Sequence, residues 1–148
     1  GWREWIGLPQ WGVAHLKAKV DTGARTSSLH AFDLEWFERD GDPWVRFEIH
    51  PWQRSTADAV IAEAAVESTR DIRSSSGEID HRPVVRAPLS LADYEVDAEI
   101  TLTRRDEMGF RMLIGREAIR GRFLVDPSVS YRGGRPPKDV RLRNRRRP

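Results

Sequence analysis

The residues best suited to chemistry lie in one short run, Ala18-Lys19-Val20-Asp21-Thr22-Gly23-Ala24. Two carboxyl groups held close together cannot both ionise, so they share one proton. One then takes a proton from a bound water while the other donates to a substrate carbonyl. Asp21 could supply one such carboxylate. Thr22 can hydrogen-bond across the pair, and Gly23, two residues after the aspartate, lets two loops meet without a Cβ clash. The chain contains one Asp-Thr-Gly, and Asp126-Pro127-Ser128 lacks the glycine. If the chemistry is aspartic, the second carboxylate must come from another chain, and two-fold symmetry supplies it most simply. The tripeptide alone is also ordinary turn chemistry.

Such a carboxylate needs rigid strands behind it, and strand chemistry dominates the sequence. His15 to Val20 reads as a strand running into the Asp21 loop. Ser27 to Glu38 alternates in two runs, Leu29 with Ala31 and then Leu34 with Trp36, whose register shifts between them as at a bulge. Asp40-Gly41-Asp42-Pro43 signals a turn into a second alternating arm, Trp44 to His50. Ala59 to Val66, continuing through Ile72, favours strand over helix. Arg70 to Leu89 reads as a hairpin with its tip at Ser74-Ser75-Ser76-Gly77 and its return arm at Glu78 to Val85. Tyr94 to Thr103 alternates cleanly, and Arg105 to Gly109 turns the chain. Phe110 to Ile114 is an apolar strand that ends at Gly115, and on its own it reads as a core strand closing in a glycine turn. Arg116 to Arg120 has room for one or two helical turns, ended by Gly121. Phe123 to Pro127 reads as a last short strand stopped by proline. Seven or eight short strands with one short helix argue an all-β sandwich or barrel.

Val20-Asp21-Thr22-Gly23-Ala24, followed far downstream by Leu113-Ile114-Gly115-Arg116, resembles the retroviral proteases, single-lobe homodimeric aspartic peptidases. The fuller resemblance is to a bacterial retropepsin-like family that has carried the label ATP-dependent zinc protease. It rests on Lys17 to Ala31, on Arg73-Ser74-Ser75-Ser76-Gly77 with Arg82-Pro83-Val84-Val85, and on Leu113 to Arg116 through Phe123-Leu124-Val125-Asp126-Pro127. It covers Trp2 to about Gly134. The resemblance implies a closed β-barrel lobe, a homodimeric site and a flap at the Ser74 to Gly77 hairpin, a mobile lid over substrate. It implies Asp21, Thr22 and Gly23 as the catalytic loop, with Leu113, Ile114, Gly115 and Arg116 beside it. Substrate contacts would come from Ala24, Arg25, Thr26, Arg73, Ser74, Ser75, Gly77 and Arg82. Guanidinium groups take carboxylates in a two-pronged geometry, so such a cleft favours an acidic peptide. Members of the resembled family are linked with RimK-type ATP-grasp ligases that add glutamates. The expected function is therefore an aspartic peptidase acting on acidic, α-linked glutamate peptides or tails. The alternatives are an inactive dimeric peptide-binding scaffold, and arginines spent on the body's own Glu63, Glu67, Glu78 and Glu117.

Composition bounds the rest. The chain has 148 residues, 39% hydrophobic and 32% charged, enough for one domain with a real core. No apolar run approaches the roughly 20 residues of a membrane span. Cysteine is absent, which removes disulfides, a cysteine nucleophile and a thiolate metal site. His15, His30, His50 and His81 are scattered with no His-Glu-x-x-His helix, and no Gly-x-x-x-x-Gly-Lys loop occurs, so neither a metal nor a cofactor is expected. The absence of cysteine and of a charged segment leading into an apolar one gives a cytoplasmic expectation, with a trimmed leader left open by the initial Gly1. Eight of the 25 basic residues and one of the 23 acids lie from Arg132 onward, leaving 17 and 22 before it, a net of −5. We read residues 1–131 as the peptidase domain and 132–148 as a basic, flexible tail: a solvated end in the first reading, with nucleic acid or an anionic surface as the weaker alternative.

Overall fold

The structure, a computed structural model, describes residues 1–52, 56–73, 75–104 and 109–144. Ser74 at the expected flap tip, Arg105 to Met108 in the expected turn and the last four residues of the basic tail lie outside the described residues. Among the described residues ten strands run in order: β1 (Arg3–Leu8), β2 (Val13–Asp21), β3 (Ser27–His30), β4 (Phe32–Arg39), β5 (Asp42–Ile49), β6 (Val60–Ala65), β7 (Ser68–Arg73), β8 (Ile79–Leu91), β9 (Tyr94–Thr103) and β10 (Met112–Gly115). Among the described residues two short helices follow, α1 (Arg116–Ile119) and α2 (Lys138–Asn144), and a 3-10 turn, Pro9–Trp11, separates β1 from β2.

Six strands in the order β1-β2-β10-β3-β9-β8 close into a barrel, because β8 pairs back onto β1 through Ile6↔Leu91 and Gly7↔Ser90. Closure removes the exposed sheet edges that an open array would carry. β7 continues the sheet outside the barrel as the second arm of a hairpin with β8, and β4-β5-β6 form a separate sheet. Period-2 alternation drives one face of each strand inward: Leu16 and Ala18 of β2, Leu29 of β3, Ile100 and Leu102 of β9, and Met112 and Ile114 of β10 are all buried. Burying a leucine or isoleucine fully is worth about 2 kcal/mol. Val45, Phe47 and Ile49 of β5 join the same core.

The register shift expected between Ala31 and Leu34 is the point where the chain changes sheets. Asp33 sits there with φ 50°, and the β4–β5 pairing is irregular between Phe32 and Glu35. His30 and His50 stack on Phe32 at 4.1 and 3.8 Å across this corner. Burial there, with the Arg111 charge adding to it, holds the His50 imidazole below its ordinary pKa. The Asp40-Gly41 turn has positive φ at both residues, 54° and 83°, the backbone that a two-residue hairpin needs to match strand twist.

Three expectations need correction. Phe123 to Pro127 is not a strand. Phe123 and Val125 do pack on the core, and Phe123 meets Tyr94 edge-on at 5.5 Å, while Leu124 is fully exposed. The alternation is therefore present, but it marks one buried face and not a hydrogen-bonded neighbour. The run from Ala59 to Ile72 is two strands rather than one, broken at Val66-Glu67, with β6 in the small sheet and β7 beside the barrel. A second helix, α2, lies within the basic tail, with Asp139 in its first turn, where an acid suits the helix dipole. Its Val140 lines a cleft with Gly12, His15 and Trp52.

Candidate active site

Asp21 is the last residue of β2, and its pairing partner across the parallel β2–β10 ladder is Gly115, the last residue of β10. β10 also pairs antiparallel with β3 through Met112↔Leu29 and Leu113↔Ser28. One strand is thus inserted between the two that the Asp21 loop joins, and the loop has to wrap over its end. The wrap is tight. The Gly23 N–H donates to Asp21 Oδ1 at 3.0 Å, and the Ala24 N–H to the Asp21 carbonyl at 3.2 Å. These bonds aim the carboxylate by its own loop.

The far side of the loop is clasped to β10 and α1. The Arg116 N–H donates to the Ala24 carbonyl at 2.8 Å and the Glu117 N–H to the Arg25 carbonyl at 3.1 Å. Arg116 Nη1 donates to the Gly23 carbonyl at 3.2 Å. The buried Gly115 N–H donates to Ser27 Oγ at 3.1 Å. Gly115 has ordinary extended φ and ψ, −81° and 167°, so its glycine is required by space. A Cβ there would lie 2.4 Å from both the carbonyl carbon and oxygen of Thr26. Leu113 and Ile114 are buried behind it.

Asp21 itself is half-buried, whereas Thr22, Gly23 and Arg25 are exposed and Thr26 and Ser27 are buried. A half-buried carboxylate bonded to its own loop thus stands at the paired ends of β2 and β10. The structure brings together Asp21, Thr22, Gly23, Ala24, Arg25, Thr26, Gly115 and Arg116. The other expected substrate contacts stand on a separate element, the β7–β8 hairpin: Arg73 ends β7 opposite Ile79, Ser75 and Gly77 form the turn, and Arg82 lies opposite Arg70. Arg82 Nε bonds Asp80 at 3.0 Å. The four glutamates considered as sinks for the site's arginines go elsewhere or stand apart. Glu63 takes Arg39 and Arg46, Glu67 takes Arg86, and Glu117 takes Arg120. Glu78 has no ion pair among the described residues, and neither do Arg25 and Arg73.

Ser27 was not singled out as a site residue in the sequence. Its signal is a small hydroxyl residue at the start of β3, directly after the loop, where the neighbouring strand end leaves an N–H to satisfy. Ser27→Ala strands that buried donor, and we expect it to lower stability by about 1–3 kcal/mol. Urea midpoints of the two proteins at equal concentration check this, and an unchanged midpoint would contradict the clasp. Among the described residues, no group of three or more His, Asp or Glu is gathered closely enough to hold a metal ion. No helix among them is long and apolar enough to cross a membrane.

A family model described as retropepsin-like aspartic endopeptidase RimB matches residues 1–136. A probable alpha-L-glutamate ligase of Shewanella halifaxensis is 48% identical over 131 residues, 88% of this chain and 29% of that protein. One of Desulfotalea psychrophila is 43% identical over 139 residues, 94% of this chain and 30% of that protein. The chain thus spans less than a third of the length of these curated relatives. The solved structure of Lpg0085 from Legionella pneumophila, a protein of unknown function, superposes with a TM-score of 0.73 at 28% identity, covering 90% of this chain and 95% of that one. The chain belongs to the RimB-like family of retropepsin-like aspartic endopeptidases.

Proposed function

We propose that this domain is an aspartic peptidase that works as a homodimer, each copy giving its Asp21 to a shared pair. The observation that carries the reading is the Asp21 carboxylate held by its own loop at the paired ends of β2 and β10, in a sequence with one Asp-Thr-Gly. In the pair, one carboxylate takes a proton from the bound water as its oxygen attacks the peptide carbonyl. The other gives its proton to the carbonyl oxygen. The tetrahedral intermediate then collapses, the C–N bond breaks, and the nitrogen leaves with a proton returned from the pair.

The substrate we favour is an acidic chain, an α-linked glutamate peptide or tail. Arg25 and Arg73 have no ion pair among the described residues, and uncommitted guanidinium groups suit carboxylates. The likeness to part of longer proteins named probable alpha-L-glutamate ligase supports the same substrate, since a ligase and a peptidase for one bond form a natural pair. A functional link to an ATP-grasp glutamate ligase follows the same logic.

The test is hydrolysis of a short α-linked polyglutamate and a neutral peptide of equal length by the intact chain. We expect faster cleavage of the acidic peptide, by about 10-fold or more. Equal rates would remove the acidic preference. Binding of peptide without cleavage of either would favour the inactive scaffold.

A further inference from the structure

β2 sends Leu16 and Ala18 into the core, so His15, Lys17, Lys19 and Asp21 share its opposite face. On β1, Arg3 lies directly across from Lys19, and Trp5 from Lys17. The chain that follows the barrel returns to this face. The Tyr131 N–H donates to the Arg3 carbonyl at 2.9 Å, and the Gly133 N–H to Glu4 Oε1 at 3.0 Å. Three cations then surround one ring: Arg3, Lys17 and Arg135 stand 5.0, 5.9 and 4.8 Å from the centre of Tyr131. Lys17 also lies 5.6 Å from the Trp5 ring.

Several guanidinium groups elsewhere meet carboxylates, as Arg39 and Arg46 do at Glu63 and Arg86 does between Glu67 and Asp97. Arg3, Lys17 and Arg135 make no ion pair among the described residues. The one acid in β1, Glu4, is buried and holds the tail backbone. Like charges gathered round one ring repel each other, and the rings orient them without cancelling their charge. Such a cluster is complementary to an extended anion.

We propose that this face is an exosite for the acidic chain running away from the scissile bond. This rests on the peptidase reading above and adds where the distant part of the substrate lies. Lys17 is four residues from Asp21 along a strand, a distance of about 13 Å at roughly 3.3 Å per residue. An extended peptide advances at the same rate, so the cluster meets carboxylates about four residues from the cleaved bond. Alternate side chains of such a peptide repeat at the spacing of Asp21, Lys19 and Lys17. A peptide fits better than single-stranded nucleic acid because the Tyr131 and Trp5 rings are already engaged by cations and are not bare platforms for bases. The face is also continuous with the Asp21 loop.

The test uses Lys17→Gln with Arg135→Gln in the full chain, and α-linked polyglutamates of about four and about twelve residues. In the parent chain the longer peptide should have kcat/KM about 10-fold above the shorter, through KM, with the advantage shrinking at high salt. In the double variant that ratio falls to about one while Tm holds. A ratio unchanged by the substitutions, or equal to one in the parent chain, overturns the exosite. A fall in both rates with a lower Tm also overturns it, as a structural effect. Binding of the longer peptide and of an oligonucleotide of equal charge is measured in parallel on Asp21→Asn protein with and without the two substitutions. Tighter oligonucleotide binding that the substitutions abolish reassigns the face to nucleic acid. Peptide binding lost on substitution, with no cleavage by the parent chain, keeps the exosite and removes the catalytic reading instead.

Discussion

Replacing Asp21 by Asn is expected to lower peptide hydrolysis by roughly 10³-fold or more, with little change in Tm or in association state. Asparagine keeps the shape of the side chain and an acceptor oxygen for the Gly23 N–H, which lies 3.0 Å from Oδ1. It removes the group that carries the proton. Because both halves of the proposed pair come from the same sequence, one substitution removes both carboxyl groups, and the effect exceeds that of losing a single acid in a two-lobed enzyme. The checks are a rate measurement, thermal unfolding and sedimentation on the same preparations. A variant that cuts as fast as the parent chain would place the catalyst elsewhere.

Gly115→Ala is expected to be the most damaging small substitution near the site. Its Cβ would stand 2.4 Å from the Thr26 carbonyl carbon and oxygen and 2.9 Å from the Arg25 carbonyl oxygen. These are backbone atoms in a loop already bonded to Arg116 and Glu117, so no side chain can swing aside. Either the loop moves or β10 slides out of register with β2. We expect a loss of about 3 kcal/mol or more, seen as a fall in Tm on the order of 10 °C. Activity should fall further, by about 10²-fold in whatever fraction stays folded, because moving Asp21 by an ångström misplaces the reacting atoms. Thermal unfolding and kcat on the soluble fraction measure the two effects separately. A variant with unchanged Tm and rate would contradict the close approach.

The elements around the site were the most legible in the sequence because the loop and its supports use short, strongly patterned runs. His15 to Val20, the β4–β5 hairpin and Tyr94 to Thr103 were all readable as strands, the last with the clean alternation that a half-buried strand requires. The register shift after Ala31 was also visible, although its meaning, a change of sheet, needed the pairing. β1 escaped for a specific reason. Its inward positions are Glu4, Ile6 and Leu8, and the glutamate breaks the apolar alternation. Glu4 is tolerated inside because it takes the Gly133 N–H, a partner 129 residues away that no local pattern reveals. α2 was hidden by its charge: within Lys138–Asn144 only Val140 and Leu142 are apolar, too few to draw a helical stripe. Phe123 to Pro127 misled in the opposite direction, since burial of alternate residues does not require a neighbouring strand. At the site, Asp21, Gly115 and Arg116 could be grouped from sequence, whereas the role of Ser27 depends on where one strand end leaves an unpaired N–H.

Subunit mixing tests the central claim most directly. Parent chain and Asp21→Asn chain are combined in equal amounts, allowed to exchange, and assayed at constant total concentration. If each site needs one Asp21 from each of two copies, only parent–parent pairs are active, and random exchange leaves about one quarter of the original activity. Across a series of mixtures the rate then follows the square of the parent fraction. A linear dependence, with about one half remaining at equal amounts, would show that each chain works alone and would contradict the shared pair.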